Sequence, residues 1–158
     1  MRPLILVILA TSILIASPQA RALTPCTSVP TAALSHFVPN NAQYGGHLAA
    51  HVAGATPPQG YSQNGRTLFS SNADYDEAWS ELAAQQQPLY CADNPQLGTD
   101  AARDLLLQFF SESCTAAGLN GACTASNTIQ THRVTFDFRA ISYNNHTAWV
   151  LLTAYPRN

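Results

Sequence analysis

The sequence feature that most restricts the possible folds of this chain is a set of four cysteines that follow an apolar leader. The leader has a positive start at Arg2, an apolar run over residues 4–16 and the small-x-small tripeptide Ala20-Arg21-Ala22. This pattern is typical of a secretory signal peptide, residues 1–22, and its apolar run is too short to predict a membrane span. We therefore expect cleavage after Ala22, a secreted or periplasmic location, and no stable membrane anchor afterwards.

In an oxidising compartment, an even number of cysteines predicts disulfide bonds rather than free thiols. The four cysteines are Cys26, Cys91, Cys114 and Cys123. They allow three pairings, and the sequence leaves the choice among them open. Zinc binding is disfavoured because no CxxC spacing occurs. Residues 23–158 have the length of a single domain, which we expect two disulfides to stabilise.

The charge of the chain argues against a broad nucleic-acid-binding surface. Lysine is absent, and residues 23–158 carry five arginines against nine acidic residues, a net charge of −4. Chains that bind nucleic acid through a large face normally show an excess of positive charge. From residue 129 onwards, however, three arginines are opposed only by Asp137. The sequence is therefore compatible with a local positive cleft and not with a large basic face.

Apolar residues at helical spacing predict two main helices in the middle of the chain. Over residues 69–87 an apolar stripe recurs every three or four positions, and Pro88 ends the segment. Residues 99–113 repeat this spacing behind the N-cap candidate Thr99, so we expect a second helix there. Residues 114–126 are rich in small residues and are expected to form a loop.

The C-terminal part changes to the period of a β-strand. Val134, Phe136 and Phe138 alternate with polar residues, which predicts a half-buried strand. Residues 143–146 contain two asparagines, which favour a turn, and residues 147–155 predict a second strand. N-terminal helices followed by an antiparallel C-terminal β-sheet define an α+β domain.

The segment GGHLAAHV at residues 45–52 carries the first candidate functional residues. His47 and His51 are four positions apart, so a helical turn would place both imidazoles on one face. Two such imidazoles suit acid–base chemistry or metal binding, although an HxxxH pair is also a common structural feature. The glutamate of the HExxH metalloprotease pattern is missing, and no metal or other cofactor is predicted. The remaining histidines, His36, His132 and His146, are expected at the surface.

The end of the last predicted strand carries the second group of candidates. In the sequence LLTAYP, Thr153 and Tyr155 are two positions apart and therefore point to the same face of a sheet. A hydroxyl and a phenol side by side can hydrogen-bond one ligand. Both residue types also favour strands for structural reasons, so alone they indicate little.

These segments, taken in chain order, resemble a known family. The chain looks like the bacterial ribonuclease A-like domain in the order of its features. These are the residues GGH, three further residues and HV, then an arginine downstream, intervening helices and a final hairpin that ends in TAYP. That domain is best known as the C-terminal toxin module of contact-dependent inhibition proteins. The resemblance covers most of residues 23–158 and is sharpest at its two ends. It differs in the insertion at residues 57–60, in the leader and in the four cysteines, since the toxin domains typically lack disulfides.

The resemblance implies a ribonuclease A-like fold and a set of site residues. By position in the motif, the catalytic residues would be His51, Arg66, Thr153 and Tyr155, and His47 matches the first histidine. The implied activity is a metal-independent endoribonuclease, in which the ribose 2′-hydroxyl attacks the phosphate and leaves a 2′,3′-cyclic phosphate. The implied partners are an RNA substrate and, for an exported antibacterial toxin, a cognate immunity or inhibitor protein. The alternative is a non-catalytic extracytoplasmic binding or inhibitor protein on the same scaffold.

Overall fold

The computed structural model describes residues 23–158, so the expected signal peptide at residues 1–22 lies outside the described residues. The helices are α1 (Pro30–Ser35), α2 (Val38–Asn41) and α3 (Asn72–Ala83), and 3-10 turns cover Cys26–Ser28, Ala42–Tyr44 and Leu48–His51. The strands are β1 (Leu23–Pro25), β2 (Thr67–Phe69), β3 (Tyr90–Ala92), β4 (Asp100–Ala117), β5 (Cys123–Tyr143) and β6 (His146–Arg157).

An antiparallel sheet of order β2-β4-β5-β6 organises the described part of the chain. A second, two-stranded antiparallel sheet joins β1 to β3. Three short helices accompany these sheets, and the predicted α+β class with an antiparallel C-terminal sheet is confirmed. Strands β4 and β5 are 18 and 21 residues long, so they extend well beyond a typical strand of five or six residues.

The predicted helix at residues 99–113 is wrong, because this segment forms most of β4. Its apolar residues fit two periods. Leu105 and Phe109 are four positions apart, which suggested a helix, but with Leu107 they also alternate with exposed Leu106 and Phe110. The segment pairs with β5 along nearly its whole length, and this tertiary pairing overrides the helical propensity.

The predicted loop at residues 114–126 is also wrong for the most part, because β4 continues to Ala117 and β5 begins at Cys123. The predicted helix at residues 69–87 is correct in its centre. It begins after Ser71, whose hydroxyl accepts a hydrogen bond from the backbone N–H of Asp74, an arrangement that caps a helix N-terminus. Its predicted apolar stripe is buried: Tyr75, Ala78, Trp79 and Leu82.

The C-terminal hairpin forms as predicted. Asn144 and Asn145 adopt positive φ angles of 48° and 65° in the turn between β5 and β6. The pairing of the two strands shifts between Asp137 and Phe138, which face Thr153 and Leu151, so Leu152 is left as the extra residue of a β-bulge. Bulges re-aim neighbouring side chains, and this one directly precedes the residues of the TAYP segment.

The two expected disulfides are present, and the structure settles their pairing. Cys26–Cys91 connects residues 65 positions apart, and Cys114–Cys123 connects the ends of β4 and β5 that meet at their turn. Two disulfides are typical of proteins that mature in an oxidising compartment. None of the helices in residues 23–158 is long and apolar enough to cross a membrane.

The main core lies between the helices and one face of the sheet. Trp79 of α3 packs against Phe136 and Phe138 of β5, with ring centroids 6.3 and 6.2 Å apart. His36, which we expected at the surface, is half-buried and stacks on Trp79 at 4.5 Å, whereas His132 and His146 are exposed as expected. Because the core occupies this face, the opposite face of β5 and β6 is left for polar side chains.

Candidate functional site

The turn that carries both histidines is held by the amide of Asn41. This side chain is buried, accepts a hydrogen bond from the N–H of Leu48 and donates to the carbonyls of Ser35 and Leu151, each at 2.8 Å. The backbone N–H of His47 donates to the carbonyl of the bulged Leu152 at 2.9 Å. The histidine segment is thereby fixed to the edge of β6.

Gly46, which precedes the first histidine of the motif, lies too close to Asn41 to carry a side chain. A Cβ atom at Gly46 would overlap the side-chain amide of Asn41, so a larger residue would displace the group that holds the turn. Gly45 has a different reason, since its φ of 77° lies in the left-handed region that favours glycine. Both glycines therefore help to position the histidine turn.

A second buried amide, Gln63, holds the other side of the turn. Its Nε2 donates to the carbonyls of Ala49 and Val52 at 2.8 Å, and its Oε1 accepts from the N–H of Cys123 at 2.7 Å. Neither Gln63 nor Asn41 is among the site residues that the sequence predicts. No pattern marks them, because their role depends on which backbone groups the fold brings near.

His51 lies at the centre of the site and is buried, with 7% of its surface exposed. Its Nε2 is 3.3 Å from Nη1 of Arg66, and its Nδ1 is 3.3 Å from the carbonyl oxygen of Thr67. A guanidinium group only donates, so Nε2 must accept and Nδ1 carries the proton. Arg66 is itself fixed by a hydrogen bond from Nε to the carbonyl of Ser62 at 2.6 Å.

The surroundings keep His51 neutral near pH 7. Burial is the largest cause and, with the charge of Arg66 and the nearby His47, lowers its pKa to about 4, although the hydrogen bond to Thr67 acts in the opposite direction. The imidazole is thus in the form that accepts a proton. The burial of His51 has no signature in the sequence, because it arises from the 3-10 turn and from the loop to Arg66.

His47 forms the other imidazole of the site. Its ring stacks on Tyr61 at 4.5 Å and lies 6.1 Å from the ring of His51, measured between centroids. Its Nδ1 is buried and has no hydrogen-bond partner among the described residues. Burial, followed by the charges of Arg66 and Arg139, lowers the pKa of His47.

The end of β6 completes the cluster. The ring of Tyr155 lies 5.2 Å from that of His51, so the two ends of the motif meet. Thr153 pairs with Asp137 across the strands and follows the residue that binds the backbone of His47. Its hydroxyl is buried and lacks a partner within residues 23–158. His47, His51, Arg66 and Tyr155 therefore form one cluster, with the Thr153 hydroxyl enclosed beside it.

The chemistry available to this cluster is proton transfer beside a fixed cation. Within residues 23–158, no group of three or more histidine, cysteine or acidic side chains is placed to hold a metal ion.

A scan against models of protein families, a search of curated proteins and a search of solved structures returned no match.

Proposed function

We propose that the chain is an exported, metal-independent endoribonuclease with a ribonuclease A-like active site. The observation that carries the proposal is the contact between Nη1 of Arg66 and Nε2 of His51 at 3.3 Å, with Tyr155 against the same imidazole. Transesterification of RNA needs a base for the 2′-hydroxyl and a cation for the phosphate, and a neutral His51 and Arg66 can supply these in one cluster with the phenol of Tyr155. We also propose that this enzyme acts as an antibacterial toxin and that a cognate immunity or inhibitor protein binds it.

The first step follows from the position of Arg66. A planar guanidinium binds two phosphate oxygens more strongly than it binds one neutral imidazole nitrogen. When a phosphodiester binds, Arg66 turns its N–H groups to the phosphate and leaves Nε2 of His51 free. The free Nε2 then accepts the proton of the ribose 2′-hydroxyl, whose oxygen attacks the phosphorus.

The second step needs a proton for the leaving 5′-oxygen as its bond to phosphorus breaks. We assign this role to His47, because it is the second imidazole of the cluster and its ring lies 6.1 Å from that of His51. The negative charge of a bound phosphate favours the imidazolium form, which offsets the lowered pKa of His47. Tyr155 and Thr153 would orient the phosphate oxygens. The products are a 2′,3′-cyclic phosphate and a free 5′-hydroxyl.

The burial of two site groups favours a second candidate, a non-catalytic extracytoplasmic binding or inhibitor protein. His51 is 7% exposed, and the hydroxyl of Thr153 is enclosed without a partner. A substrate could reach both only after neighbouring side chains move, whereas a binding protein has no such requirement. The net charge of −4 over residues 23–158 also suits a protein that does not bind nucleic acid.

The two candidates are separated by incubating the pure protein, residues 23–158, with end-labelled RNA in EDTA. We expect cleavage that leaves cyclic phosphate ends, and no cleavage of a substrate with a 2′-deoxyribose at each position. His51→Gln should lower the rate by about 10²–10⁴-fold, since one acid–base group typically contributes that much. His132→Gln, at an exposed histidine of β5, is the matched control and should cleave like the original protein. Absence of cleavage would favour the non-catalytic candidate.

A further inference from the structure

A cavity of about 210 Å³ opens beside the candidate site, over the part of the sheet where β4, β5 and β6 lie side by side. Its polar lining consists of Asp137, Arg139 and Asp100, and its apolar lining includes Ala102 and Leu152. A volume of this size is below that of pockets for drug-sized ligands, so it suits one ring system and not a whole nucleotide.

The cavity borders the catalytic cluster. Asp137 pairs with Thr153 across β5 and β6, and directly opposed residues of an antiparallel pair have neighbouring side chains on the same face. Leu152, which lines the cavity, accepts the backbone hydrogen bond of His47. Arg139 is close enough to lower the pKa of His47. A group in this cavity would therefore adjoin a phosphate bound at Arg66.

The charges of the cavity exclude a second phosphate. Arg139 is already bound to Asp100 through Nε at 2.6 Å and Nη2 at 3.2 Å, so its guanidinium is largely committed. Asp137 is half-buried, and its carboxylate has no hydrogen-bond partner among the described residues. Burial and the nearby Asp100 and Asp104 raise the pKa of this carboxyl group. The group that is left to recognise a ligand is thus an acceptor of hydrogen bonds.

We propose that this cavity binds a guanine base of the RNA, next to the phosphate that is cleaved, and that Asp137 accepts its N1–H and N2 amino groups. The identity of the ligand as RNA rests on the proposed function. A carboxylate has two oxygens side by side, and guanine is the base whose pairing edge offers two adjacent donors to them. Adenine and cytosine present an acceptor beside their amino group, and uracil presents a single N–H between two carbonyls.

The apolar walls suit the faces of a base. Ala102 and Leu152 offer apolar contacts, and Asp100 holds the side chain of Arg139 in place. Single-stranded RNA is recognised in this way, through the edges of unstacked bases. Sites built to hydrogen-bond one partner reject analogues that leave their polar groups unpaired. The selectivity should therefore depend mainly on Asp137.

The test compares binding of the four nucleoside 3′-monophosphates to the protein by calorimetry. Guanosine 3′-monophosphate should bind roughly tenfold or more tightly than the other three, in line with the discrimination of a bidentate base contact. Asp137→Asn should abolish this preference, because one of its two acceptors becomes a donor. Glu81→Gln, the same change at an exposed carboxylate of α3, is the control and should keep it.

The outcomes separate this inference from the proposed function. Equal binding of the four nucleotides, or a guanine preference that survives Asp137→Asn, overturns the guanine subsite even if RNA is cleaved. A guanine preference that Asp137→Asn removes, in a protein that cleaves no RNA, supports the subsite and overturns the ribonuclease. If both hold, cleavage of RNA of mixed sequence should concentrate beside guanines.

Discussion

At the scale of single residues, the same imidazole behaves differently according to what surrounds it. The sequence grouped His51 with Arg66 and Tyr155 as site candidates, and in the structure both side chains lie next to the imidazole of His51. The sequence did not predict that His51 is buried, because its burial depends on the loop that returns over this side chain. The catalytic candidates follow from residue types and order, whereas their protonation follows from the fold.

The lowered pKa of His51 predicts how stability depends on pH. The folded protein takes up this proton only near pH 4, whereas the unfolded chain takes it up near the ordinary value of 6.5. Stability is therefore fully present above about pH 6.5 and is lost as the pH falls towards 4. The loss is roughly 3 kcal/mol for a shift of this size. Urea unfolding at pH 7 and pH 4.5 measures it.

The control for this prediction is the same measurement on His51→Gln, which lacks the titrating group. The difference between the two proteins isolates His51 from Asp137, whose raised pKa contributes with the opposite sign at acidic pH. His47 contributes with the same sign as His51, because its pKa is also lowered, and it is present in both proteins. An equal loss of stability in the two proteins would contradict the assignment of the shift to His51.

At the scale of elements, the strands near the C-terminus could be predicted and the long strand β4 could not. The alternation of Val134, Phe136 and Phe138 has no helical counterpart, so only a strand fits. Leu105 and Phe109 fit both periods, and their segment forms a strand because it pairs with β5, the next strand along the chain. Local patterns cannot contain the information that a partner strand supplies.

The buried amides that position the site are a second feature that local sequence patterns could not predict. Asn41 and Gln63 bind backbone groups of the histidine turn, and these groups come near only in the folded chain. Their residue type suggests a surface position, since both are mostly exposed in proteins. The sequence therefore supplied the residues that could act on a substrate and missed those that position them.

Gln63→Leu tests whether the turn depends on this amide. The change leaves the carbonyls of Ala49 and Val52 and the N–H of Cys123 without their partner. Each unsatisfied buried group costs roughly 1–3 kcal/mol, so we expect the free energy of unfolding to fall by at least about 2 kcal/mol. Chemical denaturation measures this, and any RNA cleavage should fall as well because Arg66 lies three residues on.

Gln108→Leu provides the matched control, because Gln108 is exposed on β4. It makes the same change of residue type without removing a buried partner. We expect its free energy of unfolding to change by less than about 0.5 kcal/mol, as is usual at exposed positions. If Gln63→Leu were equally mild, the hydrogen bonds of the Gln63 side chain would not be what holds the turn.

At the scale of the whole molecule, the two disulfides have different tasks. Cys26–Cys91 ties the N-terminal arm, through β1 and β3, to the middle of the chain. Cys114–Cys123 closes the turn between β4 and β5, and the backbone of Cys114 hydrogen-bonds to the loop that carries Arg66. The N–H of Gly65 donates to the carbonyl of Cys114, and the N–H of Cys114 donates to the carbonyl of Arg66, each at 2.9 Å.

Replacing each pair by serine should therefore give two different losses. The chain-entropy relation assigns roughly 4 kcal/mol to a loop of the length closed by Cys26–Cys91 and roughly 2.6 kcal/mol to the short loop closed by Cys114–Cys123. The larger fall in thermal midpoint is expected without Cys26–Cys91. The larger fall in RNA cleavage per folded molecule is expected without Cys114–Cys123, because the loop that carries Arg66 hydrogen-bonds to Cys114. Both are measured below the lower midpoint, where each variant is folded. Equal losses of cleavage in the two variants would show that the short disulfide does not hold Arg66 in place.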